Sequence, residues 1–173
     1  MEQDLRRFNR TLIAIGIIIA GLIIIFSFRY ADTQRATVLD FVSADSLIHQ
    51  RWFQNLDQTD SLQIQQFAGK EVLLTFWSSW SESSTDLLIK LNEYQAKRQD
   101  SLVIIAAAVK DNGQEARAFI SSANLPFYFV DGTVHYLDLR IVGVPSAILF
   151  NSSSKPVQIL VGEKQLSQFV QSE

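Results

Sequence analysis

One stretch near the N-terminus constrains this chain more than any other. Leu12 to Phe28 reads LIAIGIIIAGLIIIFSF, seventeen residues without a charge. Surrounded by lipid, such a run has to be helical, because hydrocarbon offers no partner for backbone N–H and C=O groups. At about 1.5 Å per residue it crosses a core of about 30 Å only at the short end of the usual range. Arg6, Arg7 and Arg10 precede the run and outnumber Glu2 and Asp4. Basic residues beside a span stay inside, so residues 1–11 are expected as a short cytoplasmic tail and the rest of the chain outside. Arg29 and Arg35 weaken the asymmetry without reversing it. Arg29-Tyr30-Ala31 offers no A-x-A-like cleavage site, which favours an uncleaved single-pass anchor over 12–28 against a removed secretory signal. Gly16 and Ala20 have the spacing that seats a partner helix, a spacing common by chance in such spans.

Beyond the apolar run, composition removes most chemistry. The 173 residues contain no cysteine and two histidines, His49 and His135. Disulfides, zinc–thiolate sites, iron–sulfur ligation and thiol nucleophiles are therefore excluded, and a multi-histidine metal centre is not expected. A net charge of −3 gives no general attraction to a phosphate backbone, so no nucleic-acid partner is expected. No cofactor and no metal are implied by any motif.

Residues 29–60 form a juxtamembrane connection. Val38, Leu39, Phe41, Val42, Leu47 and Ile48 are too apolar for a flexible linker. Trp52, Phe53 and Leu56 suggest a short strand or a flap lying on the main domain, which is expected over 61–173. There the pattern alternates. Glu71 to Trp77 is a short apolar run after Gly69-Lys70 and reads as a buried strand. Ser83 to Gln99 carries Leu87, Leu91 and Tyr94 at helical spacing. Leu102 to Val109 (LVIIAAAV) has the continuous apolarity of a parallel strand covered on both faces. Ala116, Phe119, Ile120 and Ala123 mark a second helix, and Phe127 to Val130 a short strand ending at the Asp131-Gly132 turn. Ser146 to Phe150 and Val157 to Val161 flank a polar loop and predict a hairpin. Gly162 opens a last helix bearing Leu166, Phe169 and Val170. The expected class is α/β, a central mixed sheet flanked by helices on both faces.

That order, with TFWSSWSESS after the first strand and GVP before the hairpin, resembles the thioredoxin fold. It is most similar to the membrane-anchored, extracytoplasmic TlpA/ResA-type branch, whose approach to the first strand the segment SLQIQQFAGKEVLLTFW also resembles. The likeness runs from Ser61 to the C-terminus. In that family the turn reads W-C-x-x-C at a helix N-terminus, where the dipole and free N–H groups stabilise a thiolate. With Trp80 on the family tryptophan, the two cysteine positions fall on Ser81 and Ser84. The resemblance also puts two family acid positions on Leu87 and Thr75, neither of which carries an acid. Either the cysteines were lost naturally or Ser81 and Ser84 replace them by mutagenesis; Leu87 favours natural loss, since a cysteine replacement would leave the acid in place.

The resemblance implies a cis-proline at Pro145, preceded by Val144, beside which the family binds extended peptides. Trp77, Trp80, Val144 and Pro145 are then candidates for an apolar peptide groove. The plainer reading makes Trp77 core and Trp80 a cap on the turn. Ser81 and Ser84 have a structural explanation too: serine at a helix start caps it, and Ser83 with Asp86 has capping-box spacing. A hydrolytic serine needs a base, and neither His49 nor His135, expected on a surface loop, is placed to serve. Asp111-Asn112-Gly113 is most simply a strand-to-helix turn. The leading expectation is a redox-inactive, membrane-tethered thioredoxin-like domain that binds an exported polypeptide or assembles within a membrane protein complex. The alternative is a thiol–disulfide oxidoreductase relative, either as an engineered serine variant or as a transferase whose Ser81 hydroxyl activates a small thiol.

Overall fold

The computed structural model describes residues 13, 15–27, 42 and 47–172. The chain divides into two compact units, Met1–Thr37 and Val38–Glu173. In the first, residues 15–27 form helix α1, and its isoleucines, Leu22 and Phe26 are exposed all round, Phe26 at 72 %. Its one hydroxyl, on Ser27, donates back to the Ile23 carbonyl at 2.8 Å. Among the described residues no helix is long and apolar enough to cross a membrane. Leu12, Ala14 and Phe28 of the expected span lie outside the described residues, as do Val38, Leu39 and Phe41 of the expected connection.

The second unit is built on five strands in the order β5-β4-β3-β6-β7. These are β3 (Glu71–Trp77), β4 (Leu102–Ala108), β5 (Tyr128–Asp131), β6 (Ser146–Phe150) and β7 (Pro156–Val161). β3, β4 and β5 run parallel, β6 is antiparallel to β3, and β7 to β6. This is the mixed sheet that the sequence predicts. β3 and β4 are central and buried along nearly their whole length, which is why both read as unbroken apolar runs instead of alternating ones. Gly132, just after β5, is dictated by packing: a Cβ there would lie 2.6 Å from that of Ala107.

The two faces of the sheet are covered differently. Leu73, Trp77, Ile104 and Leu149 face three amphipathic helices: α2 (Glu82–Arg98), α3 (Gly113–Ala123) and α5 (Glu163–Gln171). α2 contributes Leu87, Leu88, Leu91 and Tyr94, and α5 contributes Leu166. Val72, Leu74, Phe76, Ile105 and Ile148 face the other way, against a flap and the short helix α4 (Thr133–Asp138). The flap comprises residues 47–67: two 3-10 turns and a two-residue hairpin of β1 (Phe53–Gln54) with β2 (Ser61–Leu62). Its Ile48, Phe53 and Ile64 are completely buried in the core, as is Val42. Helices on both faces thus come about only in part, because six-residue α4 cannot cover a face alone and irregular chain supplies the rest. Asn55 bridges to Val130, and the Leu56 N–H donates to the Phe129 carbonyl at 3.3 Å, closing the β5 edge.

Candidate functional site

The WSSWSESS turn leaves the C-terminal end of β3 and is pinned to the connection after β4. The Val109 N–H donates to the Trp77 carbonyl at 2.9 Å, and the buried Ser78 hydroxyl donates to the Val109 carbonyl at 2.5 Å. Asp111 holds the next residue: its carboxylate accepts the Ser79 N–H at 2.5 Å and the Ser79 hydroxyl at 2.6 Å. Asp111-Asn112-Gly113 is the strand-to-helix turn expected, with the Asn112 side chain capping α3 by accepting the Gln114 N–H. That it also anchors the turn is not legible in the sequence, since residues 79 and 111 meet only because β3 and β4 are neighbours.

Trp80 stands at the tip of the turn, 62 % exposed. The Ser81 carbonyl accepts from the Ser84 and Thr85 N–H groups at 2.9 and 3.1 Å, and so opens α2 at Glu82. Ser84 is completely buried, and its hydroxyl donates to Ser81 Oγ at 3.0 Å; Ser83 Oγ lies 3.2 Å from the same atom. The expected caps therefore need correcting. The Ser81 hydroxyl takes no backbone N–H because the side chains bond one another, and Ser83 lies inside the first turn, so no Ser83–Asp86 box forms.

On the adjoining strand the Val144–Pro145 bond is cis. Phe76 faces Ser146 across the β3–β6 pairing, so the turn that leaves β3 after Trp77 and the Val144–Pro145 segment that enters β6 lie at the same end of the sheet. The serine pair and the cis-proline loop thus share one end of the sheet. Val144 is half-buried, Pro145 is buried, and the Pro145 carbonyl accepts the Gly162 N–H at 2.9 Å. Among the described residues no hydrogen bond uses the Val144 backbone.

No protein-family model and no curated protein matches the chain. Solved structures do. A secreted Mycobacterium tuberculosis disulfide oxidoreductase homologous to E. coli DsbE superposes with a TM-score of 0.60 at 15 % identity, covering 74 % of this chain and 99 % of that one. The thioredoxin domain of a Bacteroides vulgatus thiol-disulfide oxidoreductase gives 0.59 at 20 % identity, over 70 % and 91 % of the two chains. StoA from Bacillus subtilis gives 0.57 at 19 %, over 71 % and 96 %.

The fold is thioredoxin-like. It is the fold of thiol–disulfide oxidoreductases, here without a single cysteine. At the N-terminal turn of α2 this thioredoxin-like chain has the Ser84–Ser81 hydrogen bond. Proximity to a helix N-terminus stabilises an anion by about 0.3–1 kcal/mol, less than one pKa unit. That brings a thiolate into range but leaves a serine hydroxyl protonated.

Of the four groove candidates two, Trp77 and Pro145, are buried, and two, Trp80 and Val144, reach the surface. Trp77 is completely buried and packs on Phe119 and Phe129, ring centroids 5.3 and 5.9 Å away, so it is core and lines no surface. Trp80, Val144 and Pro145 remain at the sheet end. Leu87 is buried among the α2 leucines, and Thr75 is buried between Ala106 and Ala147 with no partner for its hydroxyl among the described residues. The expectation for His135 needs correcting: it lies in α4, not on a loop, and is half-buried, because α4 turns its ring onto Phe53 at a centroid distance of 4.2 Å. Burial pushes its pKa below the usual 6.5. A cavity of about 170 Å³ opens beyond β4 and β5, lined by Asn55, Asp111, Arg117, Asp131 and Thr133, residues that no sequence pattern groups.

Proposed function

We propose that this chain is a redox-inactive binding module that holds an extended polypeptide at the cis-proline end of its sheet, tethered to the outer face of a cytoplasmic membrane. The observation that carries the reading is the Val144 backbone, without a hydrogen bond among the described residues, on the cis-proline loop beside a turn whose two thiol positions are hydrogen-bonded serines. A strand added there gains main-chain hydrogen bonds from Val144 and apolar contact from exposed Trp80, and no exchange step ensues because no sulfur nucleophile is present. The occupant is a segment of an exported polypeptide or of a partner within a membrane protein complex.

The tether rests on the uncharged run Leu12 to Phe28. Helix α1 is apolar on every side and returns its one hydroxyl to its own backbone, as a lipid-facing helix requires. The arginines before the run set the tail inside and the thioredoxin-like domain outside.

The test has two stages. The full chain is purified from its own membranes in mild detergent, and co-purifying proteins are identified by mass spectrometry. Extended peptides from those partners are then titrated against the chain and its Trp80→Ala variant by calorimetry. Binding that Trp80→Ala weakens about tenfold or more supports the groove; the cost corresponds to about 1.4 kcal/mol, typical of an aromatic anchor. Partners whose peptides bind both forms equally place the interface elsewhere and remove the groove.

A further inference from the structure

The flap meets α4 at an ionisable ring. His135 Nε2 lies 2.9 Å from the Trp52 carbonyl. A carbonyl only accepts, so Nε2 carries the hydrogen, and in the neutral ring Nδ1 is a bare lone pair. Nδ1 is buried and has no hydrogen-bond partner among the described residues. The ring also lies against Phe53, the completely buried anchor of the flap. Beside it Arg51 of the flap pairs with Asp138 of α4 at 3.1 Å, an exposed pair of small energetic weight. The next residue of α4 after His135 reaches the segment before the cis-proline: the Tyr136 hydroxyl accepts the Gly143 N–H at 2.7 Å, and the Tyr136 carbonyl accepts the Ile141 N–H at 3.1 Å. One histidine thus stands between the flap and the helix that leads to that segment.

We propose that His135 is a pH-sensitive latch, and that its protonation releases the flap from α4. Protonation puts a hydrogen on Nδ1 where no acceptor waits, and a buried donor without a partner is costly. The Trp52 carbonyl, which still accepts from Nε2–H, favours the new cation, as do Asp138 and Asp131, while Arg51 opposes it. Desolvation outweighs the groups that favour it and keeps the latched ring neutral. Because the latched value lies below the usual 6.5, the unlatched ring binds the proton more tightly. The latch is therefore at full strength above about pH 6.5 and weakens as the pH falls through the latched value. An acidic exterior would then loosen the flap without unfolding the sheet. The inference holds whether or not the cis-proline end binds a peptide.

Amide hydrogen exchange on the full chain in mild detergent tests it, corrected for the intrinsic effect of pH. From pH 7.5 to 5.5, exchange across residues 51–56 is expected to rise about tenfold, the change for one pH unit of linkage. Amides of α2 should stay protected. His135→Gln keeps a donor for the Trp52 carbonyl but does not titrate, and should abolish the rise; His49→Gln should leave it intact. Nitrogen NMR of the wild-type ring is the second readout, and it stands even where His135→Gln does not fold. It should show the Nε2–H tautomer and a midpoint below 6.5. An undiminished rise in His135→Gln, a rise shared by α2, or a ring that titrates at or above 6.5 would overturn the latch.

Discussion

The two faces of the sheet teach different lessons about stability. One is covered by α2, α3 and α5, whose apolar residues recur at helical spacing and interdigitate with Trp77, Leu73 and Ile104. The other is covered by the flap and α4, where a few residues far apart in sequence, Ile48, Phe53, Ile64 and Leu139, each fill a separate place. A long helix resists local opening because its contacts are lost together. A flap of short turns can lift while the sheet stays folded, so its stability has a lower ceiling. The site lies at the end of the sheet, where the two faces meet.

The comparison is broken most strongly at Trp77. Trp77→Ala opens a cavity on the helical face, and a loss of about 3–5 kcal/mol in denaturant unfolding is expected, shared by every probe of the domain. Phe53→Ala removes a ring just as deeply buried. Its global cost is expected to be smaller, about 2–3 kcal/mol, because the flap detaches before the sheet yields. Amide exchange should then accelerate across residues 53–62 and not in α2; equal acceleration in both would mean that the two faces are a single cooperative unit.

Two smaller changes sharpen the contrast at the centre. Thr75 is buried with a hydroxyl unpartnered among the described residues, so Thr75→Val, which keeps the branched shape, should raise stability by about 1 kcal/mol and the Tm with it. Ser84→Ala removes the hydrogen bond to Ser81 and should lower stability by about 1 kcal/mol. Trp80→Ala comes last. Its ring is mostly exposed, so thermal unfolding should move by no more than about 0.5 kcal/mol, and any loss it causes belongs to binding.

Legibility divides along the same line. β3 and β4 are readable as unbroken apolar runs because a strand buried on both faces needs no polar positions. α2 and α5 are readable because one covered face imposes a 3.6-residue period. The observed ends, Glu82–Arg98 against an expected 83–99 and Tyr128–Asp131 against 127–130, differ by one residue, since backbone hydrogen bonds and not composition set them. α4 escapes the sequence pattern: six residues are too few to show a period, and Thr133 to Asp138 carries no buried residue of its own. Trp52, Phe53 and Leu56 announce the flap without its pairing, because a two-residue strand has no pattern.

At the site, the amino-acid types alone decide the chemistry. A chain with no cysteine carries no thiol to exchange, and a helix N-terminus favours an anion by too little to ionise a serine hydroxyl near neutral pH. Ionisation is a property of the atom, shifted only modestly by a helix end. Which residues meet is a different matter. Asp111 on Ser79 and His135 on Trp52 and Phe53 depend on strand order and register, whereas Trp77 inward and Trp80 outward follow the plainer sequence reading of core and cap. Local composition sets what a residue can do; the pairing of distant strands decides what it is given to do it to.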